Sequence, residues 1–65
     1  MKVQYFEDTD TLYIEFRTGA IVDTRDLDED TLLDLDGRGN VCAITVEHAS
    51  QRTDVHRLTV EGMAA

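Results

Sequence analysis

Apolar and polar side chains alternate along most of this chain, and that period of two constrains the fold more than any other feature. In residues 11–16, Leu12, Ile14 and Phe16 point to one side while the three residues between them point to the other. Successive side chains of a β-strand lie on opposite faces of a sheet, whereas a helix repeats every 3.6 residues. The pattern therefore predicts a half-buried strand.

The same alternation, interrupted by turn-forming residues, predicts four further strands. They span residues 2–6, 21–27, 31–35 and 41–47. The short polar loops between them favour antiparallel hairpins. Residues 41–47 are apolar on both faces, which is typical of a central or covered strand. Residues 21–27 are the weaker and more exposed strand.

The last third of the chain is less regular. One short helical turn is predicted for residues 48–53, and residues 62–65 are expected to fray. Residues 55–60 fit either a sixth strand or a short helix, and the β-branched Thr59 and Val60 favour the strand. The predicted fold class is mainly β, an antiparallel meander sheet of five to six strands with one short helical turn.

The small size of the chain limits its core. Its 65 residues, taken as a single domain over 1–65, are 42% hydrophobic. Small scaffolds without disulfides or structural metals often gain the missing burial by oligomerising. We therefore expect a homodimer, and the alternative is a monomer with idealised packing.

Composition excludes several classes of protein. The formal net charge of -8 argues against binding nucleic acid through its phosphates. No apolar run approaches the ~20 residues of a membrane span, and no stretch has the basic-then-apolar form of a signal peptide. One cysteine cannot build an internal disulfide framework. We expect a cytoplasmic protein with neither a membrane nor a nucleic acid as partner.

Half of the acidic residues lie in one stretch, residues 23–36, which we call the acidic block. It holds a single arginine, Arg25, and seven carboxylates: Asp23, Asp26, Asp28, Glu29, Asp30, Asp34 and Asp36. Such a block can attract a basic partner or a divalent cation. Alternatively, it is a solvated region whose charge prevents edge-to-edge sheet pairing.

The glycine-rich end of this block does not have the spacing of a known ligand loop. If Gly37 took the sixth position of an EF-hand loop, Leu32 and Ala43 would take the first and twelfth positions, and neither can bind calcium. The Gly37-Arg38-Gly39 stretch also lacks the third glycine and the lysine of a phosphate loop. A hairpin loop explains it better, since glycine adopts positive φ without steric cost.

No constellation identifies a catalytic or metal site. Cys42, His48 and His56 could meet only by tertiary chance, and nothing marks a Cys–His nucleophile pair. One row of side chains, Thr11, Tyr13 and Glu15, could form a polar platform if Thr24 or Arg25 and Asp34 came alongside. An enzyme would require Asp34, Tyr13 and His48 to converge in a concave site. We assign no catalytic, cofactor-binding or metal-binding residue and expect no cofactor.

Four segments together resemble a known family. They are residues 8–14 (DTDTLYI), 22–25 (VDTR), 33–41 (LDLDGRGNV) and 44–50 (ITVEHAS). Their order and spacing resemble the family called domain of unknown function 2283, small bacterial and archaeal proteins, over roughly residues 2–52. The resemblance implies a small β-rich domain with no established activity or catalytic residues. Some proteins of this kind look like the small partner of a toxin–antitoxin-like gene pair, so the resemblance suggests an antitoxin-like partner of a basic protein.

These observations support two hypotheses of different classes. The leading one is a non-enzymatic, homodimeric protein-interaction domain that uses the acidic block on a basic partner. The alternative is a small-ligand or divalent-cation binding module, which the carboxylate density and the row with Tyr13 suggest. An enzyme is the least supported, because so small a chain has little room for a buried pocket.

Overall fold

The computed structural model describes residues 1–57 and shows one antiparallel sheet. The sheet contains five strands, β1 (Lys2–Phe6), β2 (Thr11–Glu15), β3 (Asp23–Asp28), β4 (Thr31–Leu35) and β5 (Val41–Val46). A single 3₁₀ turn, Ala49–Gln51, follows the last strand. The predicted mainly β fold is therefore confirmed, with each strand within about two residues of its predicted bounds.

The strand order differs from a continuous meander. The order is β1-β2-β5-β4-β3, so the hairpin β1–β2 joins the three-stranded meander β3–β4–β5 through pairing of β2 with β5. The doubly apolar β5 therefore takes the centre of the sheet, as its composition predicts. All six residues of β3 are exposed, and β3 takes an edge, where it pairs with β4 alone among residues 1–57.

The register separates the side chains into two faces. Val3 pairs with Ile14, Ile14 with Ile44, and Ile44 with Leu33. These pairs lie on what we call the apolar face, whose large hydrophobic strand residues are Val3, Tyr5, Leu12, Ile14, Leu33, Leu35, Ile44 and Val46. The opposite face carries the row Gln4, Tyr13, Thr45, Leu32 and Asp26, and we call it the polar face.

Few side chains are fully buried. Among the described residues, the buried ones are Leu35, Cys42, Ala43, Ala49 and Thr31. Cys42 is 1% exposed because the connection from β2 to β3 passes over it, and a Cβ at Gly19 would lie 3.8 Å from its Sγ. The core is as thin as the composition predicts, since most apolar-face side chains are only half-buried.

The C-terminal part of the described chain is a turn region. Residues 55–57 form a turn and an irregular residue, so this part of the predicted sixth strand is absent. Residues 58–60, and the tail 62–65 that we expected to fray, lie outside the described residues. The 3₁₀ turn falls within the predicted helical segment 48–53, and it begins after His48, whose φ is 53°.

The loop between β4 and β5 gives a matched test of backbone conformation. Gly39 has a φ of +82°, whereas a Cβ at either Gly37 or Gly39 would meet no atom within 4 Å. We expect Gly39→Ala to destabilise the protein by about 1–2 kcal/mol, because an L side chain is strained at positive φ. Gly37→Ala should be neutral or slightly stabilising. Thermal melts of the two variants check this, and equal melting temperatures would contradict it.

Candidate functional site

Most of the acidic block is engaged by the chain itself. Asp36 Oδ1 accepts the N–H groups of Arg38 and Asn40, at 2.9 and 3.0 Å. These hydrogen bonds close the hairpin loop and lower the pKa of Asp36, with the N–H of Asn40 as the largest cause. A carboxylate used in this way stabilises the turn rather than a bound ion, so the hairpin interpretation of the loop is supported.

The turn between β3 and β4 uses its acidic residues similarly. Asp28 Oδ1 accepts the N–H of Asp30 at 2.9 Å, and this bond is the main reason that the pKa of Asp28 is lowered. Arg52 Nη1 lies 3.3 Å from the same carboxylate and donates to Thr31 Oγ1 at 2.7 Å. These bonds hold the C-terminal turn region against the β3–β4 turn.

Two acidic side chains of the block are free of such bonds. Within residues 1–57, Asp26 and Glu29 make no side-chain hydrogen bond, whereas Asp34 accepts one from Thr24 at 2.9 Å and Asp23 pairs with Arg25 at 2.8 Å. The free carboxylates lie at the β3 edge and in the turn that follows it. The described part of the chain has no group of three or more His, Cys, Asp and Glu side chains arranged to hold a metal ion.

The cysteine and the two histidines lie apart. Cys42 is buried beneath the β2–β3 connection. His48 Nδ1 lies 2.9 Å from Asp30 Oδ1, and the His56 ring meets the Tyr5 ring edge-on, with centroids 6.2 Å apart. The structure therefore does not bring these three residues together.

A polar cluster around Asp10 joins β1, the β1–β2 turn and the 3₁₀ turn, and sequence reasoning missed it. Its carboxylate accepts hydrogen bonds from the Tyr5 hydroxyl at 2.5 Å and from the Ser50 N–H and hydroxyl at 3.0 and 2.7 Å. The Asp10 carbonyl oxygen also accepts the Ala49 N–H at 2.9 Å. We call this set of hydrogen bonds the Asp10 latch, because it fastens the 3₁₀ turn to the β1–β2 hairpin.

The chemistry of the latch indicates a structural role. The Tyr5 and Ser50 hydrogen bonds lower the pKa of Asp10, and the same contact with Asp10 is the main cause that raises the pKa of Tyr5 to about 12. A carboxylate with a lowered pKa is a weak general base. Ser50 donates directly to Asp10, and His48 contacts Asp30, so the serine has no histidine base.

The contact of His48 with Asp30 predicts a pH dependence of stability. Asp30 raises the pKa of His48 above its ordinary value of 6.5. The contact therefore contributes fully below about pH 6.5, and its contribution is lost as pH rises through the raised pKa of the folded state. We expect the melting temperature to fall from pH 6 to pH 8.5 in wild type. His48→Asn tolerates positive φ and should flatten this slope.

At acidic pH, the melting temperature should change with pH in the opposite direction. Folding lowers the pKa values of Asp10, Asp28 and Asp36. Their stabilising effect is present above the ordinary carboxyl pKa and is lost as pH falls through the lowered values. Stability should therefore be greatest near pH 5–6. A wild-type melting temperature that stays constant from pH 6 to pH 8.5 would contradict the role of His48.

The predicted polar row is present, and its residues on β2 and β4 are half-buried. Tyr13 donates to Glu15 Oε2 at 3.2 Å, and the pair Thr24–Asp34 lies on the same face. Burial and the neighbouring Glu15 raise the pKa of Tyr13. Arg25 pairs with Leu33 and so belongs to the apolar face, which leaves Thr24 as the β3 residue of this row. The row combines a contact within β2, Tyr13–Glu15, with the cross-strand pair Thr24–Asp34, and such polar pairs commonly stabilise a sheet face.

The apolar face is the larger candidate surface. One end of it is covered by residues 53–57, which leave a cavity of about 250 Å³ against Val3, Tyr5, Leu12 and Ile14. Toward the centre of the sheet, Leu33 and Ile44 are half-buried, although they lie on interior strands. A sheet face of this composition requires cover from another layer.

Over residues 1–57, these features define a class of protein: a small, acidic, single-sheet β domain whose polar clusters hold the fold and whose apolar face is incompletely covered by this part of the chain. No helix of the described residues is long and apolar enough to cross a membrane.

The family model described as "Protein of unknown function (DUF2283)" matches residues 2–50, and the chain belongs to this family. No curated protein and no solved structure matches the chain. The resemblance of the four sequence segments is therefore confirmed. Asp10 and Ser50 fall in the first and last of those segments, so the resemblance contained both ends of the latch.

Proposed function

We propose that this protein is a non-enzymatic protein-interaction domain that acts as a homodimer, with the apolar faces of two sheets packed against each other. The observation that carries the proposal is the half-buried state of large aliphatic residues on the inner strands β4 and β5, Leu33 and Ile44. In an ordinary β domain, such positions are covered by a second layer.

The distribution of charge supports this use of the apolar face. The acidic residues of β3 and β4 that lie on the polar face, Asp26 and Asp34, point away from the surface that would be buried. Arg25 and Asp23, the charged residues on the apolar face, lie at the β3 edge, where their charges stay in contact with water. Two copies can therefore pack without burying an unpaired charge near the centre.

The same geometry leaves the acidic block available in a dimer. Packing through the apolar face leaves the β3 edge and the β3–β4 turn exposed, with Asp26 and Glu29, which make no side-chain hydrogen bond to any residue of 1–57. A basic protein is the partner whose charge complements this surface. This is the role of an antitoxin-like partner that the family resemblance suggests.

Light scattering across a range of concentrations tests the dimer. We expect a mass of twice the chain's 7.3 kDa at high micromolar concentration. The measurement should be repeated in 1 M NaCl, because high salt screens repulsion between acidic copies and strengthens apolar association. A mass of one chain at every concentration and salt would refute the homodimer.

The cavity beside residues 53–57 favours a second candidate function, the binding of a small apolar molecule. Its floor is formed by Val3, Leu12 and Ile14, and its volume of about 250 Å³ lies just below the usual range for ligand pockets. A screen of small apolar compounds by melting temperature tests it, because a ligand of the folded state raises that temperature. Calorimetry with calcium, magnesium, manganese and zinc tests the divalent-cation alternative.

A further inference from the structure

We propose that the outer edge of β3 binds one extended segment of a basic partner protein as an added sixth strand of the sheet. This inference rests on the proposed interaction function and specifies where, and by what backbone geometry, the partner is bound. A strand added to a sheet edge gains main-chain hydrogen bonds, and its side chains provide specificity.

The first observation is that the β3 edge is open. Within residues 1–57, β3 pairs with β4 alone, and each of its six residues is exposed. One side of the strand therefore presents backbone N–H and C=O groups without partners in this part of the chain. A segment of about six residues is enough to match its length.

The second observation is the charge of this edge. Asp23, Asp26 and Asp28 lie along the strand with one cation, Arg25, which pairs with Asp23, and Glu29 follows in the turn. Two copies of β3, each with three aspartates and one arginine, carry the same net negative charge, so a second copy of this strand is less favourable here than a basic segment. Lysine and arginine side chains on the incoming strand would make favourable pairs at the same positions.

The third observation distinguishes a binding edge from one that is merely protected. Ile21, Val22 and Leu27 are 45%, 64% and 63% exposed, at and just before the strand. Charged residues protect an edge, but exposed aliphatic side chains make it more adhesive, so protection alone does not explain their presence. The partner segment therefore needs alternating basic and aliphatic side chains.

The other edge of the sheet lacks this combination. β1 carries one charge, that of Lys2, which would repel a basic segment. The pairing of β3 is also irregular between Asp26 and Asp28, where Leu27 lies, whereas the pairing of β1 with β2 is regular. Bulges of this kind redirect side chains at sheet edges. These differences single out β3 as the edge for a basic strand.

The test uses the full chain and a capped eight-residue peptide that alternates lysine and valine. We expect amide chemical-shift changes and slowed hydrogen exchange in ¹⁵N-labelled protein, concentrated at residues 21–29. A peptide of identical side chains, with alternate backbone nitrogens methylated, cannot donate hydrogen bonds along one edge. It should bind at least about tenfold more weakly. Equal affinity of the two peptides, or shifts centred elsewhere, would overturn strand addition.

Matched charge variants locate the binding edge. We expect Asp26→Asn with Glu29→Gln to weaken binding of the lysine–valine peptide by about fivefold in 50 mM NaCl. Glu7→Gln with Asp8→Asn removes the same charge from the β1–β2 turn and should change affinity less than about twofold. Equal losses of peptide affinity in the two double variants would show only a general attraction to an acidic protein and would overturn the assignment of β3.

Failure of this inference can be separated from failure of the homodimer. The mass from light scattering reports the dimer without any peptide, whereas the shifts at residues 21–29 report the edge in a monomer or a dimer. A stable dimer that leaves these amides unchanged by the peptide would refute the β3 site alone.

Discussion

Replacing Leu33 by glutamate should convert the protein from a dimer to a monomer. Leu33 lies near the middle of the apolar face, paired with Ile44 on one side and Arg25 on the other. A two-fold interface loses the side chain twice, and each leucine contributes at least about 1.5 kcal/mol on burial. The dissociation constant should therefore rise at least about 100-fold. Light scattering and sedimentation equilibrium measure it.

Leu32→Glu is the matched control for this substitution. Leu32 is the preceding residue on the same strand, has the same intermediate exposure and points to the polar face, where it pairs with Thr45 and Asp26. The charge change is identical, so a general effect of added negative charge would appear in both variants. Circular dichroism at low concentration verifies that each variant is folded. Dissociation of both variants to the same extent would contradict an interface on the apolar face.

The second large effect is expected from Asp10→Ala. This change removes three hydrogen bonds, from Tyr5 and Ser50, and places alanine at a φ of 53°, which a residue with a Cβ and no polar side chain adopts with strain. We expect the melting temperature to fall by about 10 °C or more. Amide hydrogen exchange in residues 49–53 should accelerate further, because the 3₁₀ turn loses its main attachment.

Two variants isolate the cause of that loss. Asp8→Ala removes the same charge from the same turn at an exposed residue that makes no side-chain hydrogen bond within the described chain, so its melting temperature should stay within about 2 °C of wild type. Asp10→Asn tolerates the positive φ and keeps one acceptor oxygen. Its melting temperature should lie between those of Asp10→Ala and Asp8→Ala. If Asp10→Ala were as stable as Asp8→Ala, the Asp10 latch would not contribute to the stability of the fold.

Sequence reasoning located the strands because alternation is a local property. Each side chain reports its face through its immediate neighbours, so β1 and β4 were predicted with their observed bounds. The strand order was not predictable in this way, since β2 could pair with β3 or with β5 without changing either pattern. The apolar composition of both faces of β5 indicated a central strand, although not which strand it would pair with.

The candidate sites likewise differ in whether neighbouring residues in the sequence could reveal them. The role of Asp36 in its hairpin follows from glycine and carboxylate chemistry within five residues. The Asp10–Ser50 contact joins residues 40 positions apart, and an aspartate in a polar turn gives no local sign of a distant partner. The left-handed conformation of His48 was also missed, because histidine is enriched among residues of positive φ but most histidines do not adopt it.

The pairing of β2 with β5 also shapes how this chain folds. The β1–β2 hairpin and the β3–β4–β5 meander each form from near neighbours, whereas the partners across β2 and β5 lie 28 to 34 positions apart. Closing that long loop carries the greatest entropic cost of any pairing in the sheet. We therefore expect docking of the two halves across this seam to limit the rate at which the disordered chain becomes a sheet.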